Sequence, residues 1–396
     1  MRTLIVNSMF ANAFYRRCAD ELGALPNMDL TMLTVAEWRM NGRVLPFDEI
    51  QPGAPYRTVV GKTFWTGFEN RGFYISGLER AFRLARPEVL FLMEEPFSIF
   101  AAEILTAKAF LAPHIPVVFF TWNNLSLDTF DYRPSWFYRN VARRTLPHMQ
   151  YGLTANDAGI PVLRKAGFAG PLKTIGYGVD TVAFSVLDRE HVRKIRTELN
   201  IAPDDTVIGF VGRLIEMKGV DLLIDAFAQI KRADPGRKLK LLLVGSGDME
   251  TALLNQASEC GIADDIRHVR SMPQQDVPHY MHTLDILVLP SRRVGMWAEQ
   301  FGRVLVEAMA AGKIVIGSSS GAIPEVIGNA GFVFQENNWE DLTTQLRRVL
   351  DLSVDEKEKI VETARMRGTR DYSWQRFAGD AYEAIEYCYR NYRHPS

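Results

Sequence analysis

The chain has 396 residues, 47% apolar and 23% charged, more than one hydrophobic core usually covers, so two globular domains are expected. Its 46 basic and 47 acidic side chains nearly cancel, which argues against a protein that grips nucleic-acid phosphates through a basic excess. Three cysteines, Cys18, Cys260 and Cys388, odd in number and far apart, indicate neither a disulfide frame nor a metal knuckle and fit a reducing cytoplasm.

The N-terminal run Met1 to Asn7 reads as a short strand rather than a signal peptide, and no apolar stretch approaches the roughly 18 residues that span a bilayer. A cytoplasmic protein is expected, soluble or peripheral at the inner face of a membrane. Residues 1–175 hold 19 basic and 15 acidic groups, a net of +4, which leaves 27 and 32, a net of −5, for the remainder. An excess this small suits an anionic acceptor or a membrane surface and is equally common by chance.

Strand candidates in the first half are Leu4-Ile5-Val6, Val89 to Leu92, Pro116 to Phe120 and Tyr151 to Thr154, with helical patterns between them. Strands interleaved with helices imply a parallel sheet covered on both faces. Glu94-Glu95-Pro96-Phe97-Ser98 follows one strand and reads either as a loop lining a cleft or as a solvated acidic turn capping a helix. Pro134 to Arg139 with Arg143-Arg144 joins aromatics and cations on a helix that either docks on anionic lipid or is a solvated face with its aromatics turned inward.

After the glycine-punctuated connection Ile175 to Asp180 the rhythm restarts with strands at Val207 to Val211, Leu241 to Val244, Leu287 to Leu289 and Ile314 to Ile316. Two Rossmann-like α/β domains with parallel sheets facing a central cleft are expected, 1–177 and 178–375, hinged near residue 178. In segment 376–396, Phe377, Tyr382, Ile385 and Tyr389 fall on one helical face, which packs on the fold or crosses back to the first domain.

The chemistry gathers in the second half. Gly212-Arg213 ends one strand and Met217-Lys218-Gly219 precedes a helix, so two cations flank a strand-to-helix turn. That placement suits a pyrophosphate, with Gly212 permitting close backbone approach; the plainer reading is a surface Arg and Lys that bracket a helix start. Glu299 lies in the loop after the 287–289 strand, and Glu307 lies on a short apolar helix over Val304 to Ala311 opened by Gly302. The two acids flank a helix N-terminus whose N–H groups hold an anion. Either acid is alternatively an ordinary solvated residue, although Glu307 sits in an apolar run where an unpaired carboxylate is costly. Gly245-Ser246-Gly247 invites a dinucleotide reading, but Glu250 stands where the third glycine belongs, which argues against NAD. Neither an Asp-x-Asp pair at a strand end nor a cluster of His and Cys ligands stands out, so no metal is expected.

Residues 170–350 resemble the retaining glycosyltransferases of family 4, group 1 glycosyl transferases with the GT-B fold. The resemblance rests on Tyr177-Gly178-Val179-Asp180, Gly212-Arg213 with Lys218-Gly219, Val244 to Gly247, Leu289-Pro290-Ser291, Glu299 with Glu307, and Gly321-Ala322-Ile323-Pro324-Glu325, in that order. It implies that Arg213 and Lys218 bind a donor diphosphate, Glu299 the donor-sugar hydroxyls and Glu307 the ribose. Backbone N–H groups of Phe301, Gly302, Arg303 and Val304 would complete the cradle.

The first half departs from the family pattern. Asn7-Ser8-Met9-Phe10-Ala11-Asn12 replaces paired glycines after the first strand, and Asn123-Asn124 follows the strand where many members carry a histidine. Phe10, Ala11, Asn12, Glu95, Asn123 and Asn124 are the expected cleft or acceptor residues. The implied activity is metal-independent, retaining transfer of a hexosyl unit from a UDP- or GDP-sugar to an acceptor hydroxyl, in building a polysaccharide or lipid-linked glycan. A GT-B epimerase, a phosphorylase and a non-catalytic sugar-nucleotide-binding subunit are the alternatives.

Overall fold

The computed structural model describes residues 1–40, 43–65, 71–127 and 135–392; Pro134 and residues 393–396 of the runs singled out above lie outside them. It consists of two compact units, one formed by Met1–Gly178 with the segment from Trp374 onward, the other by Val179–Ser373.

The first unit is built on seven strands: β1 Arg2–Val6, β2 Asp29–Val35, β3 Tyr56–Gly61, β4 Val89–Leu92, β5 Val117–Thr121, β6 Tyr151–Thr154 and β7 Leu172–Thr174. They pair in parallel in the order β7-β6-β5-β4-β1-β2-β3. The central strands are uninterrupted apolar runs because helices cover both faces of the sheet: Leu4, Ile5 and Val6 are fully buried, as are Val89 to Leu92.

Sequence patterning finds β1, β4, β5 and β6 and misses β2, β3 and β7. In β2 the apolar run is broken by Thr31 and Thr34, both of which are nevertheless buried. β3 and β7 are edge strands, where only one side is paired and the composition mixes. Among helices, Ile99–Leu111 is capped by the Ser98 hydroxyl, which accepts from the Ala101 N–H at 3.0 Å. In the Ser135–Thr145 helix Tyr138 is buried while Trp136 is exposed, so its aromatics do not all turn to the core.

The last helix, Trp374–Tyr392, belongs to this first unit. Its buried stripe runs through Trp374, Phe377, Ala381, Ala384, Ile385 and Cys388, which corrects the expected face: Tyr382 and Tyr389 sit at its border, half-buried. Alanines hold the stripe because the helix lies close against the unit. The Phe377 ring stands 5.2 Å from that of Phe120, and Lys173 Nζ reaches Asp380 at 2.7 Å.

The second unit carries six parallel strands: β8 Thr206–Val211, β9 Leu239–Val244, β10 Ile266–Val269, β11 Ile286–Leu289, β12 Ile314–Ser318 and β13 Phe332–Phe334, ordered β10-β9-β8-β11-β12-β13. The order reverses between β8 and β11, and every strand points the same way. All carboxyl ends therefore lie on one edge, with the crevice of an open α/β sheet at the switch between those two strands. No helix among the described residues is long and apolar enough to cross a membrane.

Candidate functional site

The carboxyl edge of the second sheet is assembled from the loops that follow β8, β9, β11 and β12. These loops touch backbone to backbone, and glycine permits it. Gly219 has φ +62°, and a Cβ there would collide with the Pro290 carbonyl oxygen, so the turn after β8 packs directly on the end of β11. Gly321, at φ +55°, lies likewise against the Glu299 carbonyl, which accepts a hydrogen bond from the Ala322 N–H at 2.9 Å. The Val244-Gly245-Ser246-Gly247 turn serves the same assembly: Leu214 N–H donates to the Ser246 carbonyl at 3.0 Å.

This packing brings Lys218 and Glu299 together across 81 residues of sequence. Lys218 Nζ lies 2.5 Å from Glu299 Oε2, and the Ser291 hydroxyl donates to the same oxygen at 2.8 Å. Lys218 Nζ also stands 5.3 Å from the Trp297 ring centroid, within cation–π range. The side chains of Lys218 and Glu299 are only 16% and 10% exposed, so their attraction is weakly screened by water. Ser291 is itself anchored, because its carbonyl accepts from the Ser318 hydroxyl.

Arg292, which sequence reasoning did not single out, ties the same loops together. Its backbone N–H donates to Met217 O at 2.9 Å, its Nε to Glu216 O at 3.0 Å, and its guanidinium pairs with Asp221 at 2.5 Å. The turn carrying Lys218 is thus clamped on both flanks. Arg213 is different: it is exposed and makes no hydrogen bond or ion pair among the described residues.

Glu307 stands on the Arg303–Ala310 helix, whose N-cap, Gly302, has φ +80° and carries no capping side chain. The Glu307 carboxyl is 4% exposed. Arg303 Nε approaches its Oε1 to 3.1 Å as an ion pair, and that buried oxygen makes no well-aligned hydrogen bond. Burial raises the Glu307 pKa above the ordinary carboxylate value, and the Arg303 charge opposes that rise without cancelling it. Phe301 is buried and packs edge-on against Tyr372, which fixes the loop just before Gly302.

In the first unit the sequence-predicted residues are occupied by structure. Phe10 and Ala11 are core side chains, and Asn12 caps a short 3-10 turn by accepting from Phe14 N–H at 2.9 Å. Glu95 accepts from the Thr121 hydroxyl and, at 3.0 Å, from the Trp122 N–H, joining the loops after β4 and β5. It is neither solvated nor the cap of the following helix, the role that falls to Ser98. Asn123 spends its side chain on Leu125, donating to the carbonyl at 2.8 Å and accepting from the N–H at 3.1 Å; Asn124 follows it in the same loop.

Sequence spacing also concealed one group of metal-ligand residues. Asp188, His191 and His279 offer side-chain ligand atoms within 4.8 Å of one another, a grouping that no spacing in the sequence displays. Only the fold brings residue 279 to residues 188 and 191.

Residues 191–367 match the family model described as glycosyl transferases group 1. A D-inositol 3-phosphate glycosyltransferase of Nocardia farcinica is 30% identical over 180 residues, 44% of this chain and 38% of that protein. A GDP-mannose-dependent alpha-(1-6)-phosphatidylinositol monomannoside mannosyltransferase of Mycolicibacterium smegmatis is 28% identical over 237 residues, 56% of this chain and 60% of that protein. The chain thus spans between 38% and 60% of the length of these two relatives. Among solved structures, Anabaena Alr3699/HepE in complex with UDP superposes with a TM-score of 0.73 at 18% identity, covering 98% of this chain and 100% of that one. WaaG, a glycosyltransferase involved in lipopolysaccharide biosynthesis, gives a TM-score of 0.64 at 17% identity, over 97% of this chain and 99% of that one.

Proposed function

We propose that this chain, whose residues 191–367 match the glycosyl transferases group 1 and whose fold is GT-B, is a member of that family and a retaining glycosyltransferase. It transfers a hexosyl unit from a UDP- or GDP-sugar to an acceptor hydroxyl in polysaccharide or lipid-linked glycan synthesis. The observation that carries the reading is the Lys218–Glu299–Ser291 cluster in the loops at the carboxyl edge of the second sheet, with Glu307 buried on the helix that follows. In this reading a cation meets a diphosphate and the two carboxylates accept hydrogen bonds from hydroxyls at the sheet edge where open α/β folds bind ligands. The named relatives support the donor class: one is GDP-mannose-dependent, and the Anabaena structure holds UDP.

Glu307 accepts from a ribose hydroxyl, which satisfies the oxygen that Arg303 leaves without a well-aligned hydrogen bond. Lys218 and the exposed Arg213 offset the diphosphate charge. As the phosphate draws Lys218, Glu299 is released to accept from sugar hydroxyls. The anomeric carbon loses its bond to the diphosphate and gains one to the acceptor oxygen on the same face, while the acceptor proton passes to a phosphate oxygen of the leaving group. The side chains position the reactants and stabilise charge, and no metal is required. Phe10, Ala11, Asn12, Glu95, Asn123 and Asn124 shape the acceptor side through the loops they hold. Placement in the cytoplasm or at the inner membrane face is part of the same proposal.

A thermal-shift panel of UDP, GDP, ADP and their hexose conjugates, followed by product analysis with the stabilising donor, tests this. One nucleotide family should raise the melting temperature, by a free energy of about RT ln(1 + [L]/Kd), and transfer should retain anomeric configuration. Inversion, free-sugar release alone, epimer formation or binding without any turnover would each reject the assignment.

A further inference from the structure

The geometry points to a transition-metal site formed by Asp188, His191 and His279 that staples two helices of the second unit, using none of the residues assigned to donor binding. Asp188 is the N-cap of the Arg189–Glu198 helix, and His191 lies on that helix's first turn. His279 comes from the Val277–Thr283 helix, which packs against it. One ligand atom from each residue lies within 4.8 Å of the other two.

Two further observations separate this cluster from a chance meeting of surface groups. The imidazole rings of His191 and His279 stack nearly parallel, 15° apart with centroids at 4.1 Å, so one ring must turn before both direct a nitrogen at a single ion. His279 Nδ1 is shielded from solvent yet has no hydrogen-bond partner, a costly condition for a buried nitrogen lone pair or N–H. Asp188 uses Oδ1 to cap the helix, accepting from Glu190 N–H at 3.1 Å and His191 N–H at 3.0 Å, and so keeps its second oxygen for another partner. A divalent cation held by the cluster would give the second Asp188 oxygen a partner.

Two imidazoles and one carboxylate form the borderline donor set that selects Zn²⁺, Co²⁺, Ni²⁺ or Cu²⁺ over Mg²⁺ and Ca²⁺, which prefer all-oxygen shells. Bonds of about 2.0–2.2 Å place ligand atoms roughly 3.3–3.5 Å apart around a tetrahedral ion, closer than the observed spread. Closing that difference needs only rotamer adjustment by Asp188 and His191, which are exposed. Three protein ligands leave the fourth position to water. The ion would hold together segments 88 residues apart, 191 to 279, and stabilise the unit that carries the donor site.

The test uses the full chain free of any histidine tag. Zn²⁺ is titrated against a chromophoric chelator at about pH 7.5, and Co²⁺ spectra report ligand type. Expected are one equivalent bound, no thiolate charge-transfer band, and a rise of about 5 °C in melting temperature at saturating Zn²⁺. His191→Ala and His279→Ala should each weaken binding by about 100-fold or more, while Cys260→Ser leaves it unchanged. Asp188→Asn keeps an oxygen for the helix cap and should still weaken binding about 10-fold, so loss of the cap does not confuse the result. A parent protein that binds no Zn²⁺ at about 100 µM would overturn the site. So would a Co²⁺–thiolate band, or equal affinity in folded His191→Ala and His279→Ala variants. These outcomes are independent of sugar transfer, so failure here does not bear on the donor assignment.

Discussion

The Arg303 guanidinium and the Glu307 carboxylate lie 3.1 Å apart, one turn along the same helix, as an ion pair without a well-aligned hydrogen bond to Glu307 Oε1. Desolvation outweighs that charge and raises the Glu307 pKa. A raised carboxyl pKa means that the native state holds its proton to higher pH than the unfolded chain does. Stability is therefore full below the ordinary value of about 4.3 and falls as pH rises through the native value. Glu307→Gln should remove that fall, giving a melting temperature at neutral pH equal to or above the parent's. It should also weaken the nucleotide-sugar by about 10-fold, through loss of a charged hydrogen-bond acceptor. A variant that keeps full donor affinity would separate Glu307 from the ribose.

Removing Lys218 leaves Glu299 with the Ser291 hydroxyl but without its cation. Lys218→Ala should cost about 1–3 kcal/mol of stability, between an exposed and a fully buried pair, and lower kcat/KM for transfer by roughly 100-fold or more. In a double-mutant cycle with Glu299→Ala, denaturant titration should show a coupling of about 1–3 kcal/mol. Additive effects would mean that the 2.5 Å contact contributes nothing.

Arg292 acts on the site through the turn it clamps. Arg292→Ala removes one of two donors to the Glu216 carbonyl, the Gly219 N–H remaining, takes the guanidinium from Asp221, and should raise KM for the donor about 10-fold while kcat falls less. Arg292→Lys, which cannot span both partners with a planar fork, should recover stability better than KM. Equal recovery of both would reduce Arg292 to a structural residue.

His282 sets an acid limit on the second unit. It is buried, and burial, reinforced by the nearby Lys313 charge, lowers its pKa to about 4. A depressed imidazole pKa means that the unfolded chain binds its proton first. Stability is therefore full above the unfolded value of about 6.5 and is lost as pH falls toward 4, by at most about 3 kcal/mol. His282→Gln should flatten this part of the curve in denaturant titrations between about pH 6.5 and 4. An unchanged slope would locate the acid sensitivity elsewhere.

Those buried parallel strands that are uninterrupted apolar runs are legible in the sequence: Val89 to Leu92 and Ile314 to Ile316 admit little other reading, whereas β2 hides behind its buried Thr31 and Thr34. The edge strands Tyr56–Gly61 and Leu172–Thr174 are not legible, since a half-paired strand imposes no such pattern. Similarly, Phe377 and Ile385 of the last helix were read on the buried face, but its alanines were not, because close packing selects for smallness and leaves no hydropathy signal.

By itself the sequence determined the α/β class, the restart of the strand–helix rhythm in the second half and the order of glycines and charges that carries the family resemblance. These are local properties, written in runs a few residues long. Only the tertiary structure decided that Ser291 donates to Glu299, that Arg292 clamps the Lys218 turn and that His279 stacks on His191. Each of those contacts joins separate loops or helices, and a side chain's partner across a fold is set by where the backbone returns, which no short stretch of residues encodes.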